Sequence, residues 1–302
     1  MRAEYAGQRS RGAGGTLALL IAAVCLAVPA LASAENDARL DTKRPGELSV
    51  AVYKDYAPFS YRDEEGRLTG LDVDIAAALA ETLGVRLSLR EQAADESVED
   101  DLRNAVWKGH YLGGGTADVM LHMPVDPVFA ERNDQVKFVA PYYRERVLLA
   151  YRKDHVDQPT SPGALLGIPV GVEIETLADA YLLSAMQGRL REDVRHYTRL
   201  QQATDALVAG EVSAVMGNGV ELQAFVDGHD NIAVSTVAMP GLMVTQWDVG
   251  AAVKAVEDSN LASRLNAAMS TLARSGRLDE IFESYGATRV PPSIQPYQAA
   301  RN

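Results

Sequence analysis

Apolar residues along this chain recur with two periods. Leu48 to Val52 (LSVAV) is a short, β-branched apolar run and predicts a buried strand. Further on, Ile75, Leu79 and Leu83 follow at helical spacing, and Gly84 supplies the left-handed backbone that closes a helix. Asp72 is the expected N-cap of that helix. Between strand and helix lies an aromatic loop, Tyr53 to Phe59, stiffened by Pro58. The polar turn Asp63–Gly66 predicts a small hairpin pairing Phe59–Tyr61 with Arg67–Thr69. A loop in this position sits at the carboxyl end of a strand, where open α/β sheets bind ligands.

The alternation continues to the end of the chain. Strands are predicted at Val85–Leu89, Val119–Leu121, Arg146–Tyr151, Ile168–Val172 and Val212–Met216. Helices are predicted at Leu177–Met186 and Thr204–Gly210, and along the stripe Leu261, Leu265, Met269 and Leu272, which Gly276 ends. That stripe reads as core. A closing helix is predicted from Leu278 to Tyr285. No internal repeat interrupts the pattern.

Residues 1–34 stand apart from it. Arg2, Arg9 and Arg11 precede an apolar run from Leu17 to Leu31, and Ala32-Ser33-Ala34 has the form of a cleavage site. The segment reads as a secretory signal peptide: the apolar run is short for a membrane span and contains Pro29. Its loss removes three Arg and one Glu, so the formal charge falls from −12 to −14. A surface this acidic argues against nucleic acid and anionic membranes as partners. Cys25, the only cysteine, goes with the segment, so the mature chain has no disulfide.

Several motifs are excluded. Residues 91–101 hold six acids but lack the alternation and central glycine of a calcium loop, so they read as a solvated loop and an acidic helix turn. The glycines at 113–115 are followed by no Gly-Lys-Ser/Thr and cradle no phosphate. His110, His122, His155, His196 and His229 show no metal-ligand spacing. No nucleophile elbow or metalloprotease motif occurs. No cofactor and no metal are therefore expected.

The opening stretch, APFSY followed by LTGLDVDIAAALAETLGV, resembles the start of bacterial periplasmic solute-binding proteins of the amino-acid-receptor type, family 3. The likeness runs on through Gly115-Thr116-Ala117-Asp118, through Arg132, Phe138 and Pro141-Tyr142-Tyr143, and through Leu278 to Gly286. It implies an α/β fold of two lobes, the type II binding-protein arrangement, hinged by two crossovers. The expected divisions are a loose leader (35–47) opening lobe 1 (35–140), lobe 2 (141–250), and a return to lobe 1 with a C-terminal tail (251–302).

The resemblance also implies a site. Tyr53, Tyr56 and Phe59 would give the cleft apolar walls, and Glu173, Glu175 and Thr176 would meet the ligand at the end of a lobe 2 strand. Arg132 falls where amino-acid receptors fork a guanidinium onto the ligand carboxylate. The Gly-x-Thr-x-Thr run that usually precedes it is replaced by Val125–Phe129. Two readings of Arg132 stand: it binds an anion, or it pairs with Asp126 or Glu131. Asn218 falls near the aspartate that meets a ligand ammonium, and it carries no charge. Trp107, His110 and Tyr111 occupy an apparent insertion that is either a binding surface or local packing.

Both amino-acid determinants are thus altered. The expected function is capture of a small polar solute, other than a simple α-amino acid, by a monomeric, non-enzymatic periplasmic protein serving an ABC importer. The PYYR segment is similar to receptors associated with quinoprotein alcohol dehydrogenases. That likeness implies an alternative, an accessory protein whose partner is a periplasmic dehydrogenase. A cleft enzyme such as a dehydratase is the other alternative.

Overall fold

A computed structural model describes residues 39–293. Residues 1–38, which include the expected signal segment, and residues 294–302 lie outside the described residues. In lobe 1, β1 (Glu47–Tyr53) runs through the hairpin β2 (Tyr61–Arg62) and β3 (Leu68–Thr69) to α1 (Leu71–Leu83) and β4 (Arg86–Gln92). Then come α2 (Val98–Leu102), a π-helical turn (Arg103–Trp107), β5 (Val119–Pro124) and α3 (Pro127–Glu131). β6 (Val136–Arg152) leads into lobe 2. That lobe holds β7 (Val170–Glu173), α4 (Leu177–Gly188), β8 (Val194–Tyr197), α5 (Leu200–Ala209), β9 (Ala214–Asn218), α6 (Gly219–Phe225) and β10 (Ile232–Ser235). β11 (Gln246–Lys254) returns to lobe 1, which ends with α7 (Leu261–Arg274) and α8 (Arg277–Ser284). Among the described residues no helix is long and apolar enough to cross a membrane.

Both lobes repeat one plan. In lobe 1, β1 lies between β4 and β5, parallel to both. In lobe 2, β7 lies between β8 and β9, again parallel to both. In each lobe the chain therefore moves outward from the central strand and then crosses back, which makes a topological switch point at that strand's carboxyl end. The two switch points are Tyr53 with the end of β5, and Glu173 with Asn218. Helices cover both faces of each sheet. Lobe 1 packs α1, α7 and α8 on one side and α2 with the π-helical turn on the other. Lobe 2 packs α4 on one side and α5 with α6 on the other.

One antiparallel ribbon joins the lobes. β6 has 17 residues, a span on the order of 50 Å. Its first part pairs with β11 from Val136↔Lys254 to Arg146↔Gln246, and its last part pairs with β9 and β10. The ladder slips at Gly250, opposite Ala140, whose φ is 51°. A Cβ on Gly250 would lie 2.7 Å from Val125 Cγ2 and 2.8 Å from the Val139 carbonyl, so only glycine fits.

The two crossovers are joined by a third strip of chain. The Val290 carbonyl accepts from Arg144 N (2.8 Å), Arg289 Nη1 donates to the Tyr142 carbonyl (3.1 Å), and Ser293 Oγ donates to Asp248 (2.7 Å). Residues 289–293 are thus tied to the hinge. The leader is anchored as well: Leu40 is buried in the lobe 1 core, and Asp41 and Asn260 exchange backbone-to-side-chain hydrogen bonds.

Asp72 is not the N-cap. That position is Gly70 (φ 127°), and the N–H groups of Leu71 and Asp72 donate to the Pro58 and Phe59 carbonyls. A Cβ on Gly70 would lie 2.4 Å from the Phe59 oxygen. Asp72 lies two residues further in, within the first turn, and is fully buried. Gly84 ends the helix at φ 67°, as the sequence predicts.

Gly250→Ala should destabilise the protein by about 2 kcal/mol, because the added methyl overpacks the hinge. Urea unfolding measures this. A variant as stable as the parent would show that the slip tolerates a side chain.

Candidate functional site

The two switch points face each other across a cleft. A cavity of about 430 Å³ is lined by Tyr56, Ala57 and Tyr61 from lobe 1 and by Glu173, Thr176, Arg199, Asn218 and Glu221 from lobe 2. A neighbouring cavity of about 470 Å³ is lined by Tyr53, His122, Pro124, Glu145, Trp247 and Val249. Asp55, Tyr56 and Asn218 line both. The site thus draws on strand ends of both lobes and on the ribbon.

Its lobe 1 floor is a polar network under aromatic rings. Asp72 accepts from Tyr142 OH (2.7 Å) and bonds His122 Nδ1 (3.0 Å). The carboxylate only accepts, so Nδ1 carries the proton and Nε2 faces outward. Nε2 lies 3.5 Å from both the Tyr56 and Tyr143 hydroxyls. His122 itself has φ 62°, an unusual conformation for a side chain this large. The Tyr142 hydroxyl helps hold it by accepting from His122 N (3.1 Å). Burial and the neighbouring acids keep the Tyr56, Tyr142 and Tyr143 hydroxyls protonated well beyond the usual phenol range.

The lobe 2 wall is acidic. Glu145 Oε1 accepts from the N–H groups of Arg146 (2.8 Å), Gly219 (2.9 Å) and Val220 (3.4 Å). Its buried carboxyl is nevertheless raised above the usual range, because desolvation outweighs these donors. Glu221 is 5% exposed and accepts at Oε2 from Asn218 Nδ2 (2.8 Å) and, at a long 3.5 Å, from Tyr56 OH. Burial pushes its pKa up to about 8; the Asn218 bond opposes this, and Glu145 and Glu173 add to it. Glu173 is raised by burial, against the pull of Leu200 N and Arg199.

The expected site residues divide. Tyr53, Tyr56, Glu173, Thr176 and Asn218 come together around the cleft. Tyr53 OH donates to the buried Asp101 (2.7 Å), and Thr176 Oγ1 caps α4 by accepting from Asp179 N (3.2 Å). Phe59 lies beneath the cleft, fully buried, its ring centroid 4.2 Å from that of His122. The other three are not among the cavity-lining residues. Trp107 packs in the second lobe 1 core, against the face away from α1. Glu175 is exposed ahead of α4, its N–H donating to Asp179 (3.0 Å). Arg132 is exposed at the end of α3 with its guanidinium 5.7 Å over the Phe129 ring, while Asp126 caps that helix. Tyr111, in the insertion, is 87% exposed.

Sequence reasoning passed over His122, Glu145, Glu221 and Arg199. Three left a trace. His122 interrupts the apolar strand VMLHM, Glu145 precedes the apolar VLLAY within one long strand, and Glu221 follows Asn218 at helical spacing. An ionisable residue inside an apolar strand costs burial energy unless it is paired or used. Arg199 left none: its reach to the Asp55 carbonyl across the cleft (3.0 Å) is set by tertiary placement.

Residues 48–288 match the model of the bacterial extracellular solute-binding proteins, family 3, and the chain belongs to that family. It is 24% identical to the L-cystine-binding protein TcyJ of Escherichia coli K12 over 80% of this chain and 84% of that protein. It is 28% identical to the L-arginine-binding protein of Pseudomonas aeruginosa over 79% and 87%. A stretch of 71 residues, 23% of this chain, is 51% identical to 26% of the cyclohexadienyl dehydratase of P. aeruginosa. Among solved structures, an ancestral cationic amino acid solute-binding protein superposes with a TM-score of 0.64 at 22% identity, over 80% of this chain and 96% of that one. The two-lobed type II fold expected from the sequence is the fold observed.

The raised Glu221 carboxyl sets a sign for stability. A carboxyl whose pKa rises from 4.5 unfolded to about 8 folded favours the native state at low pH. That contribution is lost as pH climbs through this window. The ligand-free protein should therefore melt lower at about pH 9 than at about pH 6. Glu221→Gln should flatten the difference. Thermal melts of the two proteins compare them, and equal pH profiles would contradict the assignment.

Proposed function

We propose that this protein captures a small polar solute between its lobes and delivers it to an ABC importer from the periplasm, and that the solute is not a simple α-amino acid. Membership of the solute-binding family supports the first half. The second half is carried by one observation: the cleft wall that would hold an amino acid has lost both charged anchors. Arg132 stands on the outer surface, and Asn218, which cannot ionise, hydrogen-bonds an acid instead of a ligand ammonium. Tyr56, shared by both cavities, is the central contact from lobe 1.

Native mass spectrometry of the protein purified gently from its own periplasm tests this. A small-molecule adduct is expected, lost on mild denaturation. Tyr56→Ala should weaken retention at least about tenfold, or about 1.4 kcal/mol. A bare protein carrying a dehydrogenase subunit would favour an accessory role instead.

A second reading is an elimination enzyme on the same scaffold. It is favoured by the dehydratase-like stretch together with the chain Asp72–His122–Tyr56, in which a carboxylate orients an imidazole toward the cleft. His122→Asn keeps a residue that tolerates the left-handed backbone. On this reading the parent converts a cyclohexadienyl substrate to an aromatic product and the variant is at least about 100-fold slower. No turnover by the parent excludes it.

A further inference from the structure

We infer that the solute is an organic cation without a carboxylate group, and that it enters the cleft in exchange for a proton, with Glu221 as its main counter-charge. This rests on the receptor reading above and goes on to name the ligand's chemistry.

The argument begins with cleft carboxyls that form no ion pair. Glu145, Glu173 and Glu221 all line the cleft. None of the ion pairs among the described residues includes any of them. Glu145 is satisfied by three backbone N–H groups and Tyr143. Glu221 is not. Its Oε2 is held by Asn218 and Tyr56, while Oε1 accepts no hydrogen bond from any described residue. Glu221 is 5% exposed and lines the cavity, so this second oxygen is the one left to meet a ligand donor.

Three cations stand at the rim, and each already has a contact: Lys54 pairs with Asp55. Arg199 Nη1 donates to the Asp55 carbonyl (3.0 Å), and Arg62 pairs with Glu91 and the Gly66 carbonyl. A ligand carboxylate would therefore enter a cleft that sets Glu145, Glu173 and Glu221 against one guanidinium outside any ion pair, Arg199, which already faces Glu173. An ammonium or guanidinium would complete Glu221 and meet the Tyr56 ring, which lines the same cavity and stands edge to face with Tyr53 at 6.1 Å.

The groups facing Glu221 fix the proton balance. Glu145 approaches from β6, Glu173 from the end of β7, Asn218 from the end of β9 and Tyr56 from the lobe 1 loop. His122 and Asp72 lie behind Tyr56, and Arg199 sits beside Glu173. Neutral Asn218 and Tyr56 cannot offset two acids, so the empty cleft keeps a proton on Glu221. A cation replaces it: the carboxyl O–H proton leaves to solvent, and the ligand N–H donates to the carboxylate. Affinity then rises with pH up to about 8 and levels off above.

Calorimetry on the full processed chain tests this with agmatine, L-arginine and succinate. L-arginine differs from agmatine only by its carboxylate. Agmatine should bind at least about tenfold tighter than L-arginine, and succinate should not bind. Heats in phosphate and Tris, whose ionisation enthalpies differ, should report release of close to one proton at about pH 7. Agmatine affinity should rise about tenfold from about pH 6 to about pH 7. Glu221→Gln should bind agmatine at least about tenfold more weakly and release no proton. If that variant does not fold, proton release by the parent still decides the matter. Tighter binding of L-arginine or succinate, buffer-independent heats, or no binding of agmatine overturns the inference. The receptor reading survives that outcome if native mass spectrometry still finds a retained solute, and fails separately if it finds none.

Discussion

The pairing of β6 with β11 underlies the rest of the molecule. Because β6 is one continuous strand, its first half closes the sheet of lobe 1 and its second half lies within the sheet of lobe 2. Any change in the angle between the lobes must therefore be absorbed by a few ladder positions. The register slip at Gly250, the left-handed Ala140 and the strip from Val290 to Ser293 all fall there. Hinge motions concentrate where a few residues can take up the backbone change. The same ribbon presents Glu145 to the cleft, so the hinge and part of the site share one strand.

Cleft chemistry follows from bringing two switch points face to face. Burial raises the Glu145, Glu173 and Glu221 carboxyls, so ionising Glu221 without a cation beside it costs stability. Functional sites commonly carry such local cost, offset by the packing around them. Four core clusters surround this one. The Asp72–Tyr142–His122 unit differs: its members satisfy one another and fix the aromatic floor on which a ligand would rest.

Much of the fold was legible because periodicity is a local property. The strand before the aromatic loop, the helix ending on Gly84, and the stripe of α7 all form where the apolar spacing places them. The site was legible in part, through the loop carrying Tyr53 and Tyr56 and the strand ends at Glu173 and Asn218. Two expectations failed for the same physical reason. Asp72 has the residue type of an N-cap, but the turn is made by Gly70, whose backbone approaches Phe59 too closely for any side chain. Arg132 keeps its spacing to Phe138, yet the short helix Pro127–Glu131 carries it to the outer surface. In both cases a neighbouring backbone path, not the residue type, decided where the side chain went.

The sequence by itself determined the class of protein. Alternating strand and helix periods, together with an ordered series of family motifs, specify a two-lobed α/β receptor, because those signals depend only on residues near one another in the chain. Only the tertiary structure decided which side chains line the cleft. Glu145, Glu173 and Glu221 are separated by dozens of residues in places, and His122 and Asp72 by fifty. Their mutual distances arise when each lobe packs, and the contact of Arg199 with the Asp55 carbonyl only when the lobes meet. Electrostatic energy depends on separation in space and on burial, and neither is written in the order of residues.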